Sequence, residues 1–110
     1  MDSSERPGWY QGKPIHAYVG EVQALRRAGD VSGAERLLLS LIETTEHESH
    51  ATGQGVAPWY YEELAKLYHQ QRNTPAERAI LERFAHQRHA PGVMPAQLLE
   101  RLRRVDHTQS

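Results

Sequence analysis

Two of the histidine pairs in this chain have the spacing of metal ligands. His47/His50 in EHESH and His86/His89 in HQRH each stand three residues apart. On a helix that spacing places both imidazoles on one side, where they could hold Zn²⁺, with Glu43 or Glu46 as a third ligand for the first pair. The zinc-protease signature needs two residues between its Glu and its second His; His47-Glu48-Ser49-His50 has one, so that class is excluded. A different account covers the positions. His47, His50, His69, His86 and His89 all fall in expected last turns of helices, where partial positive charge complements the helix dipole. No metal site is assigned and no cofactor is expected.

Other catalytic patterns are missing from the sequence. There is no G-x-S-x-G, no Walker loop and no glycine-rich turn after a strand. Glu62 and Glu63 are adjacent carboxylates, but neighbours on a helix point in different directions and do not make an acid/base pair. The chain has no cysteine, which removes disulfides, thiolate ligands and cysteine nucleophiles together. The expectation is a protein that is not an enzyme.

The elements that would position these groups read as helices. Pro14 suits a first turn, and Ile15, Tyr18, Val19, Val22 and Leu25 follow at helical spacing, predicting a helix over 14–28 that ends at Gly29. Asp30 and Ser32 are candidate N-caps for a second helix, and Ser32 with Glu35 has the form of a capping box. Ala34, Leu37, Leu38, Leu41, Ile42 and Thr45 give that helix the broadest apolar stripe, running to about His50 before Gly53 and Gly55. A third helix starts at Pro58 or Trp59, with Tyr61, Leu64, Ala65 and Tyr68 at i, i+3, i+4 and i+7.

Thr74-Pro75-Ala76-Glu77 restarts the chain with an N-cap Thr, an early Pro and a Glu at the third position, predicting a fourth helix that ends near His89. Ala76, Ile80, Leu81 and Phe84 form its apolar side. After the turn Ala90-Pro91-Gly92, Pro95 opens a fifth helix, in which Leu98, Leu99, Leu102 and Val105 face inward and Arg101, Arg103 and Arg104 face out. Residues 1–13 lack periodicity and read as a flexible arm; residues 106–110 read as a flexible tail. In the arm, the adjacent aromatics Trp9 and Tyr10 either fold back as a lid or recognise a ligand. The fold class expected is all-α: one domain over 14–105, with two αα-hairpins stacked and capped by a C-terminal helix.

Charge is divided unevenly. Residues 1–65 carry five basic and ten acidic side chains, and residues 66–110 carry eight and four, so the halves stand at −5 and +4 within a net charge of −1. A dedicated nucleic-acid binder has a strongly basic balance, so nucleic acid is an unlikely partner. Arg101, Arg103 and Arg104, with Arg83 and Arg88, make the alternative reading, an accessory nucleic-acid-associated domain using the basic C-terminal half. No run is long or apolar enough to cross a membrane and the N-terminus lacks an apolar leader segment, so a cytoplasmic location is expected.

The two hairpins look alike at an offset of 43 residues, with Tyr18 and Leu25 in the places of Tyr61 and Tyr68. Tyr61, Leu64, Ala65 and Tyr68 of the second unit, and Gly29-Asp30, Ala34, Leu38 and Leu41 of the first, resemble the tetratricopeptide repeat, whose helix pair carries W-x-x-L-G-x-x-Y and then A-x-x-x-F. Glu21 and Val22 stand where Leu and Gly are usual, Glu77 stands where a small Ala is usual, and the link between units is long. The resemblance is therefore to a degenerate form of the repeat, over about 14–89. The wording GVAPWYYEELAKLY and AERAILERFA is also similar to a small bacterial domain of unassigned function found joined to other modules.

The resemblance implies a groove lined by the first helix of each unit. Its groove positions fall on His16, Val19, Gln23, Arg26 and Arg27, and on Trp59, Glu62, Lys66, His69 and Gln70. Trp59, Tyr60 and Tyr61 point about 100° apart on a helix and cannot all face one core. Either Trp59 only covers the loop, or Trp59 and Tyr60 meet a partner, where aromatics are enriched. The function expected is an adaptor that binds a protein or peptide, with a second copy of the chain as a possible partner.

Overall fold

The computed structural model of the chain describes residues 7–88 and 93–109. Five α-helices dominate it: α1 (Val19–Arg27), α2 (Val31–Thr52), α3 (Pro58–Gln70), α4 (Thr74–Ala85) and α5 (Val93–Gln109). They pack on one another as α1 on α2, α2 on α3, α3 on α4, and α5 across α3 and α4. The all-α class follows directly. None of these helices is long and apolar enough to cross a membrane.

One helix start takes the first of its two candidate caps, and another differs from its expected cap. Asp30, not Ser32, caps α2: its carboxylate accepts from the Gly33 amide at 3.0 Å. Asn73, not Thr74, caps α4 by accepting from the Ala76 amide at 3.2 Å, which makes Thr74 the first helical residue and leaves Pro75 where no amide donor is needed. The residues reserved for capping boxes, Glu35 and Glu77, are thereby free for longer-range bonds. Helix α2 ends at Gly53, whose φ of 74° lets its amide reach back to the Ser49 carbonyl at 2.7 Å. Helix α4 stops at Ala85, short of the expected end near His89, a residue outside those described.

The arm is not wholly irregular. Trp9–Tyr10 (β1) and Lys13–Pro14 (β2) form a two-stranded antiparallel hairpin, in register Trp9 with Pro14 and Tyr10 with Lys13. Gln11 and Gly12 both take positive φ, 49° and 87°, as a tight two-residue hairpin turn requires. A single turn of 3-10 helix, Ile15–Tyr18, then leads into α1. The Tyr18 hydroxyl donates to the Tyr10 carbonyl at 2.7 Å, and the rings meet edge to face at 5.5 Å. Tyr10 is thus folded back onto the core as a lid would be. Helix α5 continues to Gln109, past the Asp106 at which the tail was expected to begin.

The core is the α2–α3–α4 junction. Leu38, Leu41 and Ile42 of α2, Tyr61 and Leu64 of α3, and Phe84 of α4 are fully buried. Helix α3 is covered on several sides by α2, α4 and α5, so it buries six of its 13 residues where α2 buries six of 22. Burying one such Leu or Phe side chain contributes about 1.5–3 kcal/mol, and this shared seam holds most of that gain. The link after α2 is also tied down. Ala57 donates its amide to Thr45 Oγ1 at 2.9 Å, and Val56 donates to the Arg88 carbonyl at 2.8 Å.

Candidate functional site

The α1/α3 face gathers part of the expected groove. Arg26 donates through Nη1 to Glu63 at 2.5 Å and through Nη2 to Gln70 at 3.2 Å, joining the ends of α1 and α3. Gln23, Arg26, Arg27, Glu63 and Gln70 line one open depression of about 460 Å³. Lys66 stands 3.7 Å from Glu63 and 3.6 Å from Glu62, so the acidic pair of α3 sits within a basic surround. Four of the expected groove residues therefore share one depression, and Glu63, which was not among them, supplies its centre.

The other expected groove residues lie elsewhere. His16 is exposed on the 3-10 turn and Val19 is half-buried at the start of α1; neither lines the depression. Trp59 is half-buried at the opposite end of α3, edge-on to Tyr60 with ring centroids 5.1 Å apart. Tyr60 is only 4% exposed, so it presents almost no surface to a partner, and the Trp59/Tyr60 edge reduces to Trp59. Helix α3 packs against α2, α4 and α5, so more than one direction around it is covered. Burial, with Glu48 nearby, pushes the Tyr60 phenol up to about 12.

His69 belongs to a second site. Its Nδ1 lies 3.2 Å from Oε1 of Glu77, whose side chain is 4% exposed while the imidazole is 70% exposed. The other oxygen of Glu77, Oε2, accepts from Arg101 Nε at 3.0 Å. One buried carboxylate on α4 thus ties α3 to α5. His69, Thr74, Glu77, Arg101, Arg104 and Val105 line a cleft of about 290 Å³ around it. Arg101 had been expected to face solvent with Arg103 and Arg104. Instead it turns inward, while Leu99, assigned to the apolar side, is 36% exposed. Arg101 rather than Leu99 completes the i, i+3, i+4, i+7 stripe with Leu98, Leu102 and Val105.

The first histidine pair lies on the outer face of α2. Glu43, Glu46, His47, His50 and Ala51 border a shallow surface hollow. Among the described residues no three His, Asp or Glu side chains are arranged to hold a metal ion. Glu46 already has other partners. Arg83 forks onto it, Nε to Oε2 at 2.7 Å and Nη2 to Oε1 at 2.8 Å, and the Tyr61 hydroxyl donates to Oε2 at 2.8 Å. Desolvation raises the Glu46 pKa, but the bonds from Arg83 and Tyr61 and the nearby positive charge outweigh it and the net shift is downward. Of the second pair, His86 places Nδ1 2.8 Å from the Glu82 carbonyl, where a ring N–H binds the end of its own helix. His89 lies outside the described residues.

No protein-family profile, curated protein or solved structure matches this chain.

Proposed function

We propose that this chain is a non-enzymatic interaction module of tetratricopeptide-like build, working inside the cell, that binds a protein or peptide segment across the shared face of α1 and α3. The observation that carries the reading is the joining of α1 and α3 through Arg26, Glu63 and Gln70. It puts Gln23, Arg26, Arg27 and Gln70 on one depression instead of two separate helix surfaces. Charged and amide groups of both helices are then presented together, with Lys66 at the side, which suits a polar segment laid across the two helices. Trp59, at the far end of α3, is an aromatic neighbour for a longer segment.

The test is selection of a random 16-residue peptide library on the immobilised chain, followed by measurement of the selected peptides against Arg27→Glu and Gln23→Ala. Arg27 and Gln23 are exposed, so these variants keep the fold. A shared sequence pattern whose binding drops about tenfold or more with Arg27→Glu supports the reading. Peptides without a pattern, or binding that ignores both substitutions, would refute it.

A further inference from the structure

We infer that the α1/α3 depression and the cleft between α3, α4 and α5 are the two ends of one groove for an extended peptide. An acidic side chain of that peptide meets Arg27, and an uncharged, mainly apolar side chain enters the cleft. The inference rests on the peptide-binding reading above and names the chemistry of the partner. The two hollows adjoin at consecutive residues, since Gln70 lines the depression and His69 lines the cleft. Neighbours on a helix point about 100° apart, so the end of α3 turns one of these side chains toward α1 and the other toward α5. Both sides are tied down. Arg26 of α1 donates to Gln70, and Glu77 on α4 holds His69 of α3 and Arg101 of α5, one on each oxygen.

The two ends differ in charge. At the depression both carboxylates of α3 are engaged, Glu63 with Arg26 and Lys66, and Glu62 with Lys66. Arg27 is exposed and makes no ion pair or hydrogen bond among the described residues, so one cation here is unanswered. Gln70 uses its Oε1 for Arg26 and keeps its N–H donors, and Gln23 adds a second amide. This end therefore offers donors and a positive charge, which suit a carboxylate flanked by main-chain carbonyls. In the cleft the charges are answered within the protein: Glu77 is set against Arg101 and His69, and Arg104 has a partner of its own. A charged side chain brought there would lose water and gain no opposite charge. Val105 and the methylene stems of the arginines suit an apolar one, and about 290 Å³ has room for it. A helix is about 10 Å wide and an extended chain advances about 3.3 Å per residue, so the acidic and the apolar residue stand about three or four positions apart.

The probes are the peptides selected from the 16-residue library, resynthesised with a fluorophore and titrated by anisotropy against the full chain, Arg27→Gln and Thr74→Met, whose longer side chain fills the cleft. The expected result is a shared pattern of an acidic and an apolar residue at that spacing. Changing the acidic residue of the peptide to its amide weakens wild-type binding about tenfold and leaves Arg27→Gln binding unchanged; changing the apolar residue to glycine does the same with Thr74→Met. Arg27 is exposed, so its variant folds. If circular dichroism shows that Thr74→Met does not, the glycine change in the peptide reads that end by itself. Patterned peptides that respond to Arg27→Glu and Gln23→Ala but show no acidic preference, or that ignore the changes at the cleft end, leave the peptide-binding reading standing and overturn this inference. A selection without any pattern overturns both.

Discussion

Glu46 on α2 and Arg83 on α4 meet through two parallel hydrogen bonds, 2.7 and 2.8 Å long, although neither helix is the other's neighbour in sequence. The Tyr61 hydroxyl of α3, the helix between them, closes on the same carboxylate. Three helices therefore share one ionic joint at the edge of the core. Arg83 is about a third exposed, so solvent screens part of the pair. Arg83→Ala is expected to cost about 1–2 kcal/mol in urea denaturation, and Arg83→Lys to recover only part of it because a lysine cannot fork.

The same joint sets an acid limit. A carboxylate whose folded pKa is lowered contributes stability that is fully present above its unfolded pKa, near 4.5, and is lost as pH falls through the lower folded value. Urea midpoints measured downward from about pH 5 should fall in the wild type, and the Glu46→Gln variant should be less stable at neutral pH with a shallower acid slope. Parallel acid slopes would show that other carboxylates carry the effect.

The alkaline limit comes from tyrosines. Burial, with Glu46 beside Tyr61 and Glu35 beside Tyr68, raises both phenols above the ordinary value, and Tyr60 is raised to about 12. A raised phenol adds stability below the unfolded pKa of about 10, which drains away as pH climbs toward the folded value. Absorbance at 295 nm should therefore show these three ionising only together with loss of helical circular dichroism, above about pH 10. Tyr68→Phe, which removes the 2.7 Å bond to Glu35, should cost about 1 kcal/mol.

Glu77 and Arg101 predict how α5 is held. Arg101→Ala leaves a nearly fully buried carboxylate without the guanidinium on its Oε2. A loss of about 1–3 kcal/mol is expected, below the usual figure for a buried pair because Arg101 is itself partly exposed. Hydrogen exchange should report it locally, with amides over 98–105 exchanging faster while those of α2 keep their protection. Uniform deprotection would mean that α5 is not a separable unit.

Gly8 predicts how the hairpin seats on α2. Its φ is +79°, and a Cβ there would fall 2.7 Å from the carboxylate of Glu48. Gly8→Ala should displace the Glu48 carboxylate and shift the emission of neighbouring Trp9; because that carboxylate ends a flexible side chain, its cost should stay near the backbone penalty of about 1 kcal/mol that Gly12→Ala, in open space, also meets.

The helices were legible because their stripes are long and their stops are strong: Gly29, Gly53 and Pro58 each bound an element close to where the periodicity does. The hairpin was not, since Tyr10-Gln11-Gly12-Lys13 lacks the Asn-Gly or Asp-Gly pair that marks a two-residue turn. The cleft was hidden for a different reason. Glu77 and Arg101 each occupy an apolar stripe position on their helix, where a charge read alone looks like a departure from pattern. Only the packing of α5 against α4 shows that one departure answers the other. Four groove residues came from a resemblance to a repeat, but Glu63 joins them through a contact across 37 positions that helical spacing does not predict.

The two amide bonds that pin the α2–α3 link run from Val56 to the Arg88 carbonyl, just past the end of α4, and from Ala57 to Thr45, in the second half of α2; both hold the start of α3. They act as a pivot. Any swing of α3 away from α2 must therefore turn about that end and open the far one, where Tyr68 meets Glu35 and Arg26 meets Gln70. With α3 about 20 Å long as the lever arm, a swing of about 3° would move the rim of the α1/α3 depression by about 1 Å, and the core seam nearer the pivot by less.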